Sequence, residues 1–190
     1  MSKIAIVYYS QGGTTALLAE AIARGASSVP GVEAELFPIS GTQIVEGRWK
    51  DDAVLEALTK ADGILFGAPT FMGGPAAQFK AFADATGGIW YGRGWVGKVG
   101  GGFTISGSPS GDKSGTIGYL ATLASQHGLI WANWNELPRQ GDGTNRIGSS
   151  MGLMAQTIIA PGSPAKLDDG DSLSGEKYGA YVAGLVKRLG

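Results

Sequence analysis

Apolar positions along the chain switch between two periods. Ile4 to Tyr9 form an almost unbroken apolar run, and Leu17, Leu18, Ala21 and Ile22 then recur at helical spacing. The first pattern suits a strand covered on both faces, the second a helix with one face on a sheet. A first strand is therefore predicted over Lys3–Tyr9 and a first helix over about Thr14–Ser27. Pro30-Gly31 turns the chain into a second strand, Glu33–Pro38. Asp51-Asp52 open a helix reaching about Lys60, with Val54, Leu55 and Leu58 inward, and Gly63–Ala68 is a buried third strand. Pro75 is placed as the first residue of the next helix, which carries Phe79, Phe82 and Ala83 as its stripe and ends at Thr86-Gly87-Gly88.

The fourth strand is predicted over about Lys98–Ile105, with Gly100-Gly101-Gly102 inside it. Glycine weakens a strand, so a run of three suggests close packing by something large. A helix from about Lys113 to His127 follows, and Gly128–Trp131 begins a fifth strand. Ala132–Asn145 is polar and longer than a simple connection needs. Tyr178, Tyr181, Val182, Leu185, Val186 and Leu189 fall at helical spacing and make a final amphipathic helix. Strands alternating with helices predict an α/β chain, with residues 1–190 forming one domain around a five-stranded parallel sheet. Right-handed crossovers give strand order 2-1-3-4-5. Ligands in such sheets bind beyond the carboxyl ends of the strands, at the switch between strands 1 and 3. The loops after strands 1, 3 and 4 would converge there.

Composition narrows the chemistry. With 15 basic and 16 acidic residues the net charge is −1, which gives no electrostatic reason to expect nucleic acid or an anionic membrane as partner. No apolar run approaches the ~20 residues of a membrane span, and a strand predicted from Lys3 leaves no room for a signal segment, so a cytoplasmic protein is expected. There is no cysteine and one histidine. Thiolate nucleophiles, iron–sulfur clusters and Cys/His metal sites are thereby excluded, no carboxylate set suggests another metal, and redox chemistry would need an organic cofactor.

The loop after strand 1 reads Ser10-Gln11-Gly12-Gly13-Thr14-Thr15. A strand running through a glycine-bearing, hydroxyl-rich turn into a helix offers backbone N–H groups to a phosphate. A helix cap built on Ser10 or Thr14 is the other reading of the same residues. The lysine of a triphosphate loop and the dinucleotide pattern G-x-G-x-x-G are both absent. A lone phosphomonoester fits better, and FMN is the usual cofactor that carries one. After strand 3, Pro69-Thr70-Phe71-Met72-Gly73 makes an apolar ledge suited to a flat ring, or a turn in which Phe71 fills the core. After strand 4, Ser106-Gly107-Ser108-Pro109-Ser110 and Asp112 could offer backbone donors to such a ring, or form an ordinary surface loop.

Together these residues resemble the flavodoxin-like FMN proteins, a three-layer α/β sandwich, and among them the WrbA-like NAD(P)H:quinone oxidoreductases. Ser10-x-x-Gly13-x-Thr15 matches the phosphate loop. Gly67-Ala68-Pro69-Thr70-Phe71-Met72-Gly73 and the Thr86-Gly87-Gly88-Ile89-Trp90 ending match two further segments, and the likeness runs from Lys3 to Leu189. It implies FMN held by the three loops, NAD(P)H as electron donor and a quinone-type acceptor. It also implies a homodimer or homotetramer with Trp90 and His127 lining the acceptor space. Gln126 stands where the family places the flavin-side member of a histidine pair, which the resemblance takes to put Gln126 or His127 at the site, Gln126 with the cofactor and His127 as a proton donor or a flavin-facing polar group. A helix C-terminal cap is the other reading of His127. Gly12 stands where the family often has an aromatic platform for the nicotinamide, and Pro109 and Asp112 interrupt its third loop. An electron carrier of the flavodoxin type, or an FMN-binding module without turnover, are the alternative functions.

Overall fold

The long apolar runs become the central strands of a sheet because side chains on both of their faces find cover. In the computed structural model, which describes residues 1–139, 141–158, 162 and 164–190, Ile4 to Tyr8 are all buried. The elements are β1 (Ser2–Tyr8), α1 (Thr14–Ser27), β2 (Val32–Pro38), a 3-10 turn (Gly41–Gln43), β3 (Ile44–Val45), β4 (Arg48–Trp49), α2 (Asp52–Lys60), β5 (Gly63–Phe71), β6 (Gly74–Pro75) and α3 (Ala77–Ala85). They continue with α4 (Gly87–Tyr91), β7 (Val99–Ser106), α5 (Lys113–Gln126), β8 (Ile130–Trp131), β9 (Leu153–Ile158), β10 (Lys166–Leu167) and α6 (Asp169–Leu189). The parallel strands lie in the order β2-β1-β5-β7-β9, which is the 2-1-3-4-5 arrangement, with β10 antiparallel on the β9 edge. One core lies under α1 and α6, the other under α2, α3 and α5. This is the flavodoxin-like sandwich. No described helix is long and apolar enough to cross a membrane.

Three boundaries differ from expectation. Pro75 is not the start of a helix: Met72 and Gly73 both take positive φ (49° and 78°) and turn the chain back, so that Pro75 pairs with Thr70 in a short hairpin. Two consecutive positive φ values at a two-residue loop make a type I′ turn. The last helix begins at Asp169, well before Tyr178. Its Asp-Gly-Asp start carries no apolar stripe, and Asp168 caps it by accepting the Gly170 N–H at 2.9 Å. On its inner face Gly179 lets the backbone of α1 come close, since a Cβ there would collide with the Ile22 carbonyl oxygen.

The fifth strand is split. β8 pairs with the first residues of β7 (Val99↔Ile130, Gly100↔Trp131), and β9 with its last (Phe103↔Leu153 to Ser106↔Gln156). The polar stretch after Trp131 is the excursion between the two pieces. It leaves a gap in the ladder opposite Gly102. Ala132 N–H still donates to Gly100 at 2.7 Å, and a continuous parallel ladder would return the Gly102 N–H to the Ala132 carbonyl. The Tyr178 hydroxyl is inserted there: it accepts from Gly102 N at 3.2 Å and donates to Ala132 O at 2.8 Å. The glycine run admits it. A Cβ on Gly101 would meet the Tyr178 oxygen at 2.5 Å, and one on Gly102 would meet the Trp131 ring at 2.8 Å. The large groups packed on these glycines are thus the chain's own aromatics. Complete burial raises the Tyr178 pKa well above the ordinary tyrosine value. Tyr178→Phe strands two buried backbone groups and is expected to destabilise the fold by about 2–3 kcal/mol. Denaturant unfolding checks this, and a loss under about 0.5 kcal/mol would mean that water or the backbone closes the gap unaided.

Candidate active site

β1 delivers the chain into a turn whose last residue, Gly13, takes φ 87° before α1 begins. The Ser10 hydroxyl accepts the Ala16 N–H at 3.2 Å, and Leu17 N makes the bond to Gly13 O at 3.1 Å. Among the described residues, the N–H groups of Gly12, Gly13, Thr14 and Thr15 have no protein acceptor. They stand at the positive end of the α1 dipole, and a Cβ on Gly12 would meet nothing. Thr14 and Thr15 are almost wholly buried. The Thr14 hydroxyl lies 3.0 Å from that of Thr157 on β9, while Thr15 borders open space. Four unsatisfied donors, an open glycine and a hydroxyl fit a phosphate. The Ser10 oxygen accepts from the first turn of α1, and among the described residues its hydrogen has no acceptor.

The second loop is the β5–β6 hairpin. The Thr70 hydroxyl is turned into the core, 2.8 Å from Thr104 Oγ1 and 2.7 Å from Thr116 Oγ1, and Thr104 donates to Ala68 O at 2.7 Å. This chain of hydroxyls ties the ends of β5 and β7 to α5. It leaves the Thr70 backbone and the half-exposed Phe71 ring facing the cleft, while Met72 projects fully into solvent at the turn.

The third loop enters the site through Ser106 and Gly107. Ser108, Pro109, Ser110 and Asp112 are exposed and do not line it; Pro109 and Ser110 border a neighbouring depression instead. Two supports invisible in the sequence fix this loop from behind. Lys113, fully buried, donates from Nζ to Ser106 Oγ at 2.8 Å and to Ser108 O at 2.7 Å, and its burial lowers its pKa. Gln156 donates from Nε2 to Gly107 O at 3.1 Å. The Gln156 N–H in turn reaches Asp171 Oδ2 at 2.9 Å, and Asp171 is held two-pronged by Arg146 (2.9 and 2.7 Å). Burial raises the Asp171 pKa against the pull of Arg146. The excursion that carries Arg146 is pinned by buried Asn145, which donates to Glu136 O and Ser149 O.

The three loops and β9 enclose a cleft of about 370 Å³ at the carboxyl ends of the strands. Gln11, Gly12, Thr14, Thr15, Pro69, Thr70, Phe71, Ser106 and Gly107 come together there. Thr157 and Ile105 complete it. Thr157 lies on β9, which the predicted elements lack, although Leu153 to Ile158 is an apolar-rich run after a polar excursion.

Gln126, His127 and Trp90 are not part of this cleft. α5 runs from the third loop back to the start of the sheet, where Gly128 O accepts the Gly97 N–H just before Val99. Val99 and the cleft residue Ser106 are seven strand positions apart, roughly 23 Å at ~3.3 Å per residue. Gln126, expected with the cofactor, therefore lies at the opposite edge in its own chain. Among the aromatics between Gly87 and Gly97, Trp90 and Tyr91 are exposed and Trp95 is fully buried. Trp95 donates to Thr59 Oγ1 at 3.0 Å and packs on the His127 ring at 4.3 Å between centroids.

His127 follows the last turn of α5 and is buried. The Thr86 hydroxyl gives its hydrogen to Ala83 O at 2.7 Å, so at its 2.8 Å contact with His127 Nε2 it accepts. The proton therefore sits on Nε2, and Nδ1 is buried without a partner among the described residues. Burial lowers the His127 pKa from 6.5 to about 4. Between these values the unfolded chain takes up a proton that the folded one refuses. The stability that neutral His127 protects is thus complete above pH 6.5 and falls by up to about 3 kcal/mol as the pH drops to 4. Comparing the pH profiles of melting for the wild type and His127→Gln should show a shallower acid limb in the variant. Parallel limbs would mean the ring reaches water.

Comparison with known proteins agrees with this geometry. Residues 2–133 match the family described as NADPH-dependent FMN reductase. The chain is 39% identical to flavodoxin FldP of Pseudomonas aeruginosa, covering 100% of this chain and 99% of that one. It is 38% identical to quinone-oxidoreductase QR2 of Triphysaria versicolor, covering 99% and 97%. Among solved structures, a WrbA-like flavodoxin from Agrobacterium tumefaciens superposes with a TM-score of 0.76 at 37% identity, covering 100% of both chains.

Proposed function

The chain belongs to the NADPH-dependent FMN reductase family, and from that premise we propose that it passes two electrons from NAD(P)H through FMN to a quinone-type acceptor. The observation that carries the reading is the phosphate-shaped turn, with four unsatisfied N–H donors, opening onto a cleft walled by Phe71 and the third loop. When bound, FMN supplies the redox chemistry, accepting a hydride and releasing it to the acceptor. The chain's own residues hold and shape the site. Gly12 to Thr15 bind the phosphate, Phe71 offers an apolar face to a flat ring, and the Thr70–Thr104–Thr116 hydroxyls keep the cleft wall rigid. Gln156 and Lys113 turn the carbonyls of Gly107 and Ser108 toward themselves. The name of the Triphysaria relative favours a quinone as acceptor.

A flavodoxin-type carrier is the second reading, favoured by the name of the Pseudomonas relative. A net charge of −1 speaks against it, because carriers that dock on basic partners use strongly acidic surfaces. Anaerobic mixing of the FMN-loaded protein with NADH or NADPH separates the two. Rapid full bleaching of the flavin, reversed by benzoquinone, supports the reductase; no bleaching with either nucleotide favours the carrier.

The reading includes a homodimer or homotetramer of cytoplasmic location. Trp90, Tyr91, Val96 and Ile130 are exposed at the edge away from the cleft, and apolar side chains grouped in this way mark an interface. A neighbouring subunit could then bring Trp90 and the Gln126–His127 corner to the cleft that their own chain cannot reach. Light scattering on the wild type and Trp90→Ala tests this, and a monomeric wild type would remove it.

A further inference from the structure

We propose that the Lys113 ammonium is the charge that draws FMN toward its reduced, anionic form. The proposal rests on the FMN-dependent reading above, and begins from how charge is arranged behind the third loop. Lys113 is fully buried in the first turn of α5, yet among the described residues no carboxylate lies within 4.0 Å of its Nζ. Both of its hydrogen bonds go to neutral acceptors, Ser106 Oγ and Ser108 O. The nearest buried carboxylate, Asp171, is matched by the two-pronged Arg146, with Asp168 a further 3.4 Å neighbour of that arginine on the solvent side. Asp112, next in sequence, is exposed. The ammonium is the member of this cluster set against the third loop, with no carboxylate in contact and 2.8 Å from a serine hydroxyl that lines the cleft.

An ammonium in this position is desolvated with no carboxylate in contact, which is costly; Asp171 acts on it only from a distance and against Arg146, and burial lowers its pKa. An anion in the cleft offsets that cost. The FMN phosphate carries the same charge in both oxidation states, so its attraction to Lys113 cancels from any comparison between them. The ring does not cancel. Oxidised, it is neutral; on taking up two electrons and one proton, the equivalent of the hydride leaving NAD(P)H, it becomes an anion while the nicotinamide becomes cationic and departs. Lys113 therefore holds the reduced cofactor more tightly than the oxidised one. The ratio of the two affinities is the shift in midpoint potential.

Potentials are measured on the FMN-loaded protein with a chemical reductant, so that failure of NAD(P)H to reduce the flavin would sink the function proposed above and leave this experiment standing. Lys113→Met keeps the stem and removes the charge. It should cut the preference for reduced over oxidised FMN about tenfold, which is a fall of about 30 mV for a two-electron couple. Lys113→Arg should keep the wild-type value. If Lys113→Met weakens both forms equally and the potential does not move, Lys113 only props the loop and the proposal fails. Should the methionine variant not fold, Lys113→Gln and the wild type itself still decide. At neutral pH the wild-type potential should follow pH as a two-electron, one-proton couple, whereas a two-electron, two-proton response there overturns an anionic reduced ring.

Discussion

Replacing Arg146 by alanine is expected to cost about 3–5 kcal/mol of stability, or a fall of roughly 6–20 °C in melting temperature for a chain of this size. The reason is Asp171. Its side chain is 2% exposed against 29% for Arg146, and both of its oxygens accept from the guanidinium while one also takes the Gln156 N–H. Removing the arginine leaves a buried carboxylate with no cation on it. Burial already raises the Asp171 pKa, and without Arg146 the rise is larger. A carboxylate whose folded pKa exceeds its unfolded value loses stability as pH climbs from the unfolded value through the folded one. The deficit of the variant should therefore be smallest in acid and greatest at neutral pH and above. Asp171→Asn in the same background should recover part of it. Thermal melts of the three proteins at acid and alkaline pH test the account, and a loss that ignores pH would mean Asp171 is solvated once Arg146 leaves.

The same cluster shows why part of the site could be read from the sequence and part could not. The turn after β1 is local: a strand, a few special residues and a helix follow one another within a dozen positions, so its pattern announces its geometry, whereas after β5 the prolines and glycines mark a turn without showing that it folds back as a hairpin. The strand order follows from alternating periods for the same reason. What escaped is what depends on distant pairs. Lys113 looks like the solvated first residue of a helix until Ser106 and Ser108 fold over it. Gln156 and Thr157 belong to a strand whose first two residues, Ile130 and Trp131, lie on the far side of a polar excursion. The gap so created is closed by Tyr178, which the sequence offers only as one more apolar position on a helix. Gln126 and His127 show the converse. Their place in the pattern was right, at the end of α5, but a helix returning antiparallel to the strands carries them to the wrong edge for their own cleft.

Apoprotein is expected to bind FMN about 100- to 10,000-fold more tightly than riboflavin. At least two of the free N–H donors between Gly12 and Thr15 would bond the phosphate, and a hydrogen bond to a charged group contributes ~1.5–3 kcal/mol, with each 1.4 kcal/mol a factor of ten. Riboflavin keeps the ring and the ribityl chain and loses the anion, so calorimetric titration of both ligands isolates the turn. The threonines divide the effect further. Thr15 has no partner for its hydroxyl among the described residues and borders the cleft, so Thr15→Val should weaken FMN roughly 10- to 150-fold and leave riboflavin unchanged, with little change in melting because valine keeps the buried shape. Thr14 is already within 3.0 Å of Thr157, so Thr14→Val should also loosen β9 and lower the melting temperature of the apoprotein. Equal affinity for FMN and riboflavin would reduce the whole turn to a helix cap, with Ser10 and Ala16 its working pair.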